Sequence, residues 1–381
     1  MKKIVVFFVL FACVFTSDAQ LSFTNGSNTL EIGGLATTYY NYRFYKPGQT
    51  DFKKNRFKLR DAQLKLEGRK GTDVEYELQI DFANLFGNID PENPPLMDAF
   101  VMYKGLGLFD IKAGFQKLPY SRTSLNPFVY SPYFQRAEFA RGEIFSRRDI
   151  GVTLSQSFWG EKINVYAGIY NGIGEQSLTG NNSIDGNLEY IGRVDVSWPV
   201  KSKYRNTDIN ISPIPMYSLG LNARYTEKGL TTGSDYSLLT VDGTKTAYGV
   251  DFYAQYRGFS ILAEAHQMRV TPNDSLRFFG IPDKKYFLAG GVHVEVGKYI
   301  KPLKSILSAR YENYNLNNLY DGTNERLAFA YAYMIDGWNS TLKIQYSQQL
   351  TEEQNATFPE AVTENLNYTG QLRLGWQYRF N

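Results

Sequence analysis

Lys117, Arg122, Arg136, Arg141, Arg147 and Arg148 lie in one stretch that holds only two acids, Glu138 and Glu143. Basic side chains concentrated in this way break no bonds by themselves. Set around a narrow, partly desolvated aperture, they raise the local concentration of anions and speed their access. An Arg also forks onto a phosphate or a carboxylate. On an ordinary loop the same charges would only face water. Lys58 and Arg60 form a second basic pair. Asp73, Glu75, Glu77 and Asp81 pull the other way. They either repel anions or anchor the basic stretch by ion pairs, with Lys65 and Arg60 as neighbouring bases.

The only two histidines are His266 and His293. If their segments pair so that His266 faces His293, then Glu264 faces Glu295. Two His and two carboxylates are a donor set for zinc; a solvated hydrogen-bonded cluster is the blander reading, and no metal or cofactor is expected. Neither His has a nucleophile context, and no Gly-rich phosphate loop or Cys/His metal spacing occurs. No catalytic residues and no enzyme activity are therefore expected. A formal charge of +3 gives no argument for nucleic acid as a partner.

The elements that must position these groups are strands. In Gln371 to Phe380, Leu372, Leu374, Trp376, Tyr378 and Phe380 alternate with Gln371, Arg373, Gly375, Gln377 and Arg379. A period of two is a strand with one apolar and one polar face. The pattern recurs about sixteen times from Leu30 onward. In the segment from Asn55 to Glu67 the phase changes, as a bulge near Asp61 would make it do. Connections alternate long and short, which is the loop asymmetry of outer-membrane barrels. Pro199 to Met216 is long where a short turn is due, so counts of 14 or 18 strands stay open. The fold expected is an all-β, transmembrane antiparallel β-barrel with long external loops and short periplasmic turns.

Lys2 and Lys3, the apolar run Ile4 to Phe15 and the small-x-small Ser17-Asp18-Ala19 read as an export signal over residues 1–19. Leu10-Phe11-Ala12-Cys13 approaches a lipoprotein box, but Phe11 is bulky for it. Residues 20–381 then form a single barrel domain, with a pore-constricting loop at about 117–149. Cleavage removes Cys13, the sole cysteine, so no disulfide is expected.

Several segments resemble the phosphate-selective porin O/P family of Gram-negative outer membranes, in its Bacteroidetes type. They are Phe57 to Leu64 with Glu67-Gly68, Asp98-Ala99-Phe100, Gly114 to Tyr120, Phe145 to Gly151 and Tyr166 to Gly172. The resemblance implies a sixteen-stranded homotrimeric channel whose basic residues form a ladder through the pore. The family's consecutive arginines in strand two are here reduced to Lys58 and Arg60. Phe380 is similar to the terminal signal read by the barrel-assembly machinery, although Asn381 follows it. The function expected is a passive outer-membrane porin for small polar solutes with a weak anion preference that phosphate would share. Lys58, Arg60, Lys117, Arg122, Arg136, Arg141, Arg147 and Arg148 would flank the solute path, and outer-membrane lipid would surround the wall. The alternative is a plugged, non-conducting barrel that presents its external loops to a partner.

Overall fold

A computed structural model describes residues 21–50, 54–85, 94–140, 146–179, 186–228, 243–273, 285–319, 323–351 and 368–380. Arg141, Glu143 and the export signal lie outside them. The strands are β1 (Leu21–Asn25), β2 (Asn28–Tyr45), β3 (Asn55–Lys70), β4 (Val74–Asp81), β5 (Leu96–Tyr103) and β6 (Asp110–Lys117). They continue as β7 (Arg148–Phe158), β8 (Ile163–Tyr170), β9 (Glu189–Trp198), β10 (Met216–Lys228), β11 (Gly243–Tyr256) and β12 (Phe259–Pro272). The last five are β13 (Phe287–Ile300), β14 (Ser305–Asn315), β15 (Asn324–Asp336), β16 (Ser340–Gln349) and β17 (Tyr368–Phe380).

Strands β2 to β17 pair antiparallel with their chain neighbours, and β17 pairs back onto β2 from Tyr368↔Tyr45 to Phe380↔Gly34. Sixteen strands thus close on themselves, so every ladder hydrogen bond inside the wall has a partner. The segment 199–215 adds no strand, because Pro199, Pro213 and Pro215 cannot donate to a ladder. No helix among the described residues is long and apolar enough to cross a membrane. The periodicity did not disclose β1. It pairs with β2 from Leu21↔Ile32 to Asn25↔Asn28 and continues the column of β17 beyond Phe380. Gly26, at φ +61°, makes the tight turn that permits this.

The alternation sorts side chains as expected, with Tyr76, Leu78 and Ile80 on the outer face and Glu75, Glu77 and Gln79 in the lumen. The phase change in β3 is a bulge: Thr37 opposes Asp61 and Thr38 opposes Leu59, leaving Arg60 extra. Phe57 is consequently 82% exposed on the outer face, whereas both Arg60 and Asp61 turn inward and are buried. Two consecutive charges thereby face the lumen and bond each other, Arg60 Nη1 lying 2.6 Å from Asp61 Oδ1.

Candidate permeation pathway

Between β6 and β7 the chain turns into the barrel. Leu118 donates to the Arg147 carbonyl at 2.9 Å and closes the base of this loop. Irregular backbone inside a barrel has no ladder, so the wall must supply its partners. Carboxylates and amides take its N–H groups: Thr123 donates to Glu264 at 2.5 Å, Glu138 to Glu312 at 2.6 Å and Phe134 to Gln345 at 2.7 Å. Cations take its carbonyls: Arg310 donates to Gln135 at 3.0 Å, Lys343 to Ser131 at 2.8 Å and Arg60 to Phe134 at 2.7 Å. Arg379 donates to the Tyr130 hydroxyl at 2.9 Å, and Arg326 pairs with Glu138. The loop therefore crosses the lumen to β14–β17 and β3. Its Leu118, Tyr120, Phe139 and Ala140 bury against Met268, Val270 and Phe287, which point inward from β12 and β13.

The histidine register differs from the sequence expectation by two residues. His266 opposes Gly291, and it is Glu264 that opposes His293. Glu264 accepts from Ser121 Oγ at 2.8 Å and lies 3.5 Å from His266 Nε2, while His293 Nε2 stands 3.4 Å from Thr123 Oγ1. The cluster is buried and grips the root of the loop. No group of metal-ligating residues occurs among the described residues.

The segment 199–215 enters the lumen from the short-turn end and meets the loop. Arg122 donates to Ser202 Oγ at 2.9 Å and to the Lys203 carbonyl at 2.7 Å. Asn206 donates to Glu295 at 2.9 Å and bonds Asn126, while Arg205 stacks 4.7 Å from the Tyr130 ring centroid. Tyr204 bonds Asp195, and burial together with that carboxylate holds its phenol well above the ordinary value. Asp208 accepts from Ser212 and Gly258, each at 2.8 Å, and fixes the return to the wall.

These contacts place the sequence-selected bases in different surroundings. Arg122 and Arg147 are each 1% exposed; the first cements the two lumen segments, and the second donates to the Ser124 carbonyl at 3.5 Å. Lys58 opposes Tyr39, an inward residue, in the long-loop half of β3. Arg60, Lys117, Arg136 and Arg148 come together on a lumen cavity of about 270 Å³, between the loop tip Phe128-Val129-Tyr130 and the wall of β2–β6. Two further bases line it: Lys65, read from the sequence only as a counter-charge to the acids of β4, and Arg379, which sequence reasoning missed. Both lie on polar faces of alternating strands, which was the available signal. Glu31, Asp61, Glu67 and Glu77 are the carboxylates of the same cavity. Lys65 lies 3.3 Å from Glu77 and also pairs with Glu67, so a base does oppose the acidic face of β4. Arg148 is held by Asp98 at 3.1 Å, and Arg136 by the carbonyls of Thr123 and Asn126 at 3.1 and 2.9 Å.

Among families of known proteins, phosphate-selective porin O and P matches residues 35–206. No curated protein sequence matches the chain. Solved structures share the fold. The anion-selective porin from Comamonas acidovorans superposes with a TM-score of 0.61 at 12% identity, covering 93% of this chain and all, 100%, of that one. Outer-membrane expressed OmpT of Vibrio cholerae gives 0.62 at 11% identity, covering 94% and 100%. The trimer form of in-vitro folded OmpT gives 0.59 at 12% identity, covering 93% and 100%. At these identities the likeness concerns the fold alone.

Proposed function

The chain resembles the porin O and P family over residues 35–206, and we propose that it is a passive outer-membrane channel for small hydrophilic solutes with a weak preference for anions. The observation that carries this reading is the charge balance of the lumen cavity: six cationic side chains line it against four carboxylates. The loop narrows the lumen and excludes by size. The surplus of positive charge, in a gap poorly screened by water, concentrates anions at its mouth. No bond is made or broken, and no cofactor takes part.

The preference is one of field and not of phosphate capture. The guanidinium groups of Arg60, Arg136 and Arg148 already donate to carbonyls or carboxylates, so none is an idle fork for a phosphate. Export by a cleaved signal over residues 1–19, assembly through the terminal strand and a homotrimeric state belong to the same proposal. The alternation of long and short connections, which places the long loops outside, supports it.

Planar-bilayer recording of the refolded mature protein under a potassium chloride gradient tests the reading. A reversal potential on the chloride side is expected, and it should shrink at high salt as the charges are screened. Lys117→Gln combined with Arg379→Gln should move it toward zero. A cation preference in the unsubstituted protein would overturn the anion assignment. Silence of a well-folded barrel would make it a plugged scaffold instead.

A further inference from the structure

The outer wall carries a groove of about 470 Å³ over β12–β16. Two outward rows build it. Phe259, Lys298, Leu307, Tyr331 and Ile344 are successive cross-strand partners, as are Val296, Ala309, Phe329 and Tyr346 in the next row. Ala309 is the low point, between Val296 and a Phe329 ring that is 51% exposed. The short-turn end of the groove is cationic. Lys298 lies 3.8 Å from the Phe259 ring centroid and donates to the Arg257 carbonyl at 2.8 Å, which brings its ammonium from the groove to the β11–β12 turn. Arg257, Lys301 and Lys304 are exposed on that turn and on the adjoining β13–β14 turn. No carboxylate among the described residues pairs with any of the four. The buried Asp208 lies under the β11–β12 turn, where its carboxylate accepts from the Gly258 N–H at 2.8 Å and from Ser212, and Asp336 receives Asn339 at 3.3 Å.

We propose that this groove and its collar of Arg257, Lys298, Lys301 and Lys304 form a binding site for an anionic glycerophospholipid of the periplasmic leaflet. One acyl chain lies over Ala309, and the phosphate sits among the four cations. The occupant follows from continuity: an apolar trench leads into a cluster of like charges at the height where a headgroup begins, and a phosphodiester complements both. A second trench provides contrast. It runs across Ala167, Gly192 and Ala223, successive cross-strand partners, with a volume of about 660 Å³. Among the described residues no comparable cation cluster adjoins it, so it should show no headgroup preference. The inference rests on the wall being membrane-embedded but not on conduction, so bilayer currents and lipid binding can fail separately.

The test is native mass spectrometry of the full chain released from nanodiscs that hold equal amounts of phosphatidylglycerol and phosphatidylcholine. Retention of phosphatidylglycerol should exceed that of phosphatidylcholine by about tenfold. Joint replacement Arg257→Gln, Lys298→Gln, Lys301→Gln and Lys304→Gln should abolish the preference while channel currents persist. Ala309→Phe should lower retention of both lipids. Should the fourfold variant not fold, Lys301→Gln with Lys304→Gln, both on one exposed turn, should reduce the ratio by more than half. Equal retention by the unsubstituted protein, or a preference that survives the substitutions, overturns the site. So does a multimer that Ala309→Phe dissociates, because a second copy would then occupy the groove.

Discussion

Excising residues 120–145 and rejoining β6 to β7 by a short glycine–serine turn should raise single-channel conductance about threefold or more, since sixteen strands enclose an aqueous channel that the loop would then no longer narrow. The geometry permits the excision. Lys117 and Arg148 are ladder partners, and Leu118 already bonds Arg147, so the two strand ends stand ready for a hairpin. The wall does not depend on the loop for closure, because its ladder runs unbroken from β2 to β17 and back. A gentler version cuts three wall ties together, with Glu264→Ala, Arg310→Ala and Lys343→Ala. Each removes hydrogen bonds to a charged group, about 1.5–3 kcal/mol apiece. Steps in the gentler variant should become larger and noisier as the loop leaves the wall. A folded excision variant with unchanged conductance would mean that the current never passed the loop, and the size-exclusion argument would be lost.

How much of this was legible beforehand depends on which face of a strand is considered. The outer face of the sixteen barrel strands was largely legible. Most outward residues meet apolar surroundings, so period two appears along the barrel strands, and even the β3 bulge announced itself when the apolar phase moved from Phe57 and Leu59 to Leu64 and Leu66. The inner face was not. A lumen filled with water would demand polar residues at every inward position, and the prediction treated it so. Met268 and Val270 break that rule in β12, as do Phe287 and Ala289 in β13. They pack against the loop and need no water. The signal was present as strands apolar on both faces, but only the partner segment explains it. The bases were harder still. Arg122 and Lys117 are five residues apart in one basic stretch, yet the first is spent binding the 199–215 segment and the second lines the cavity. Nothing local to a sequence says which carbonyl a guanidinium will find. The histidine register failed for a related reason: hairpin alternation fixes which face a residue occupies but not its partner, and a shift of two preserves the face.

The inward core makes the second large prediction one of stability. Arg224 is buried in the long-loop half of the lumen, where it donates to Glu189 through Nε at 2.7 Å and through Nη2 at 2.8 Å. It also donates to Ser146, to the carbonyl at 3.1 Å and to Oγ at 2.9 Å, and it stacks 5.2 Å from the Tyr120 ring centroid. Glu189→Ala leaves that guanidinium without its carboxylate in a site closed by Tyr120, Tyr170 and Ile191, and should cost about 3–5 kcal/mol. Urea unfolding of the refolded protein reads the loss directly. Replacing both partners, Glu189→Leu with Arg224→Met, should recover most of it, since two desolvation penalties vanish along with the attraction. Recovery should fall short by about 1 kcal/mol, the hydrogen bonds that Ser146 gives up. The comparison bears on permeation as well as on folding. If Glu189→Ala costs no more than a surface change, under about 0.5 kcal/mol, water reaches Arg224. The half of the lumen behind the loop would then be wet, and solutes would not be confined to the gap along β2–β6. A full penalty instead means that this half is dry protein, and that selectivity belongs to the cavity lined by Lys65, Lys117 and Arg379.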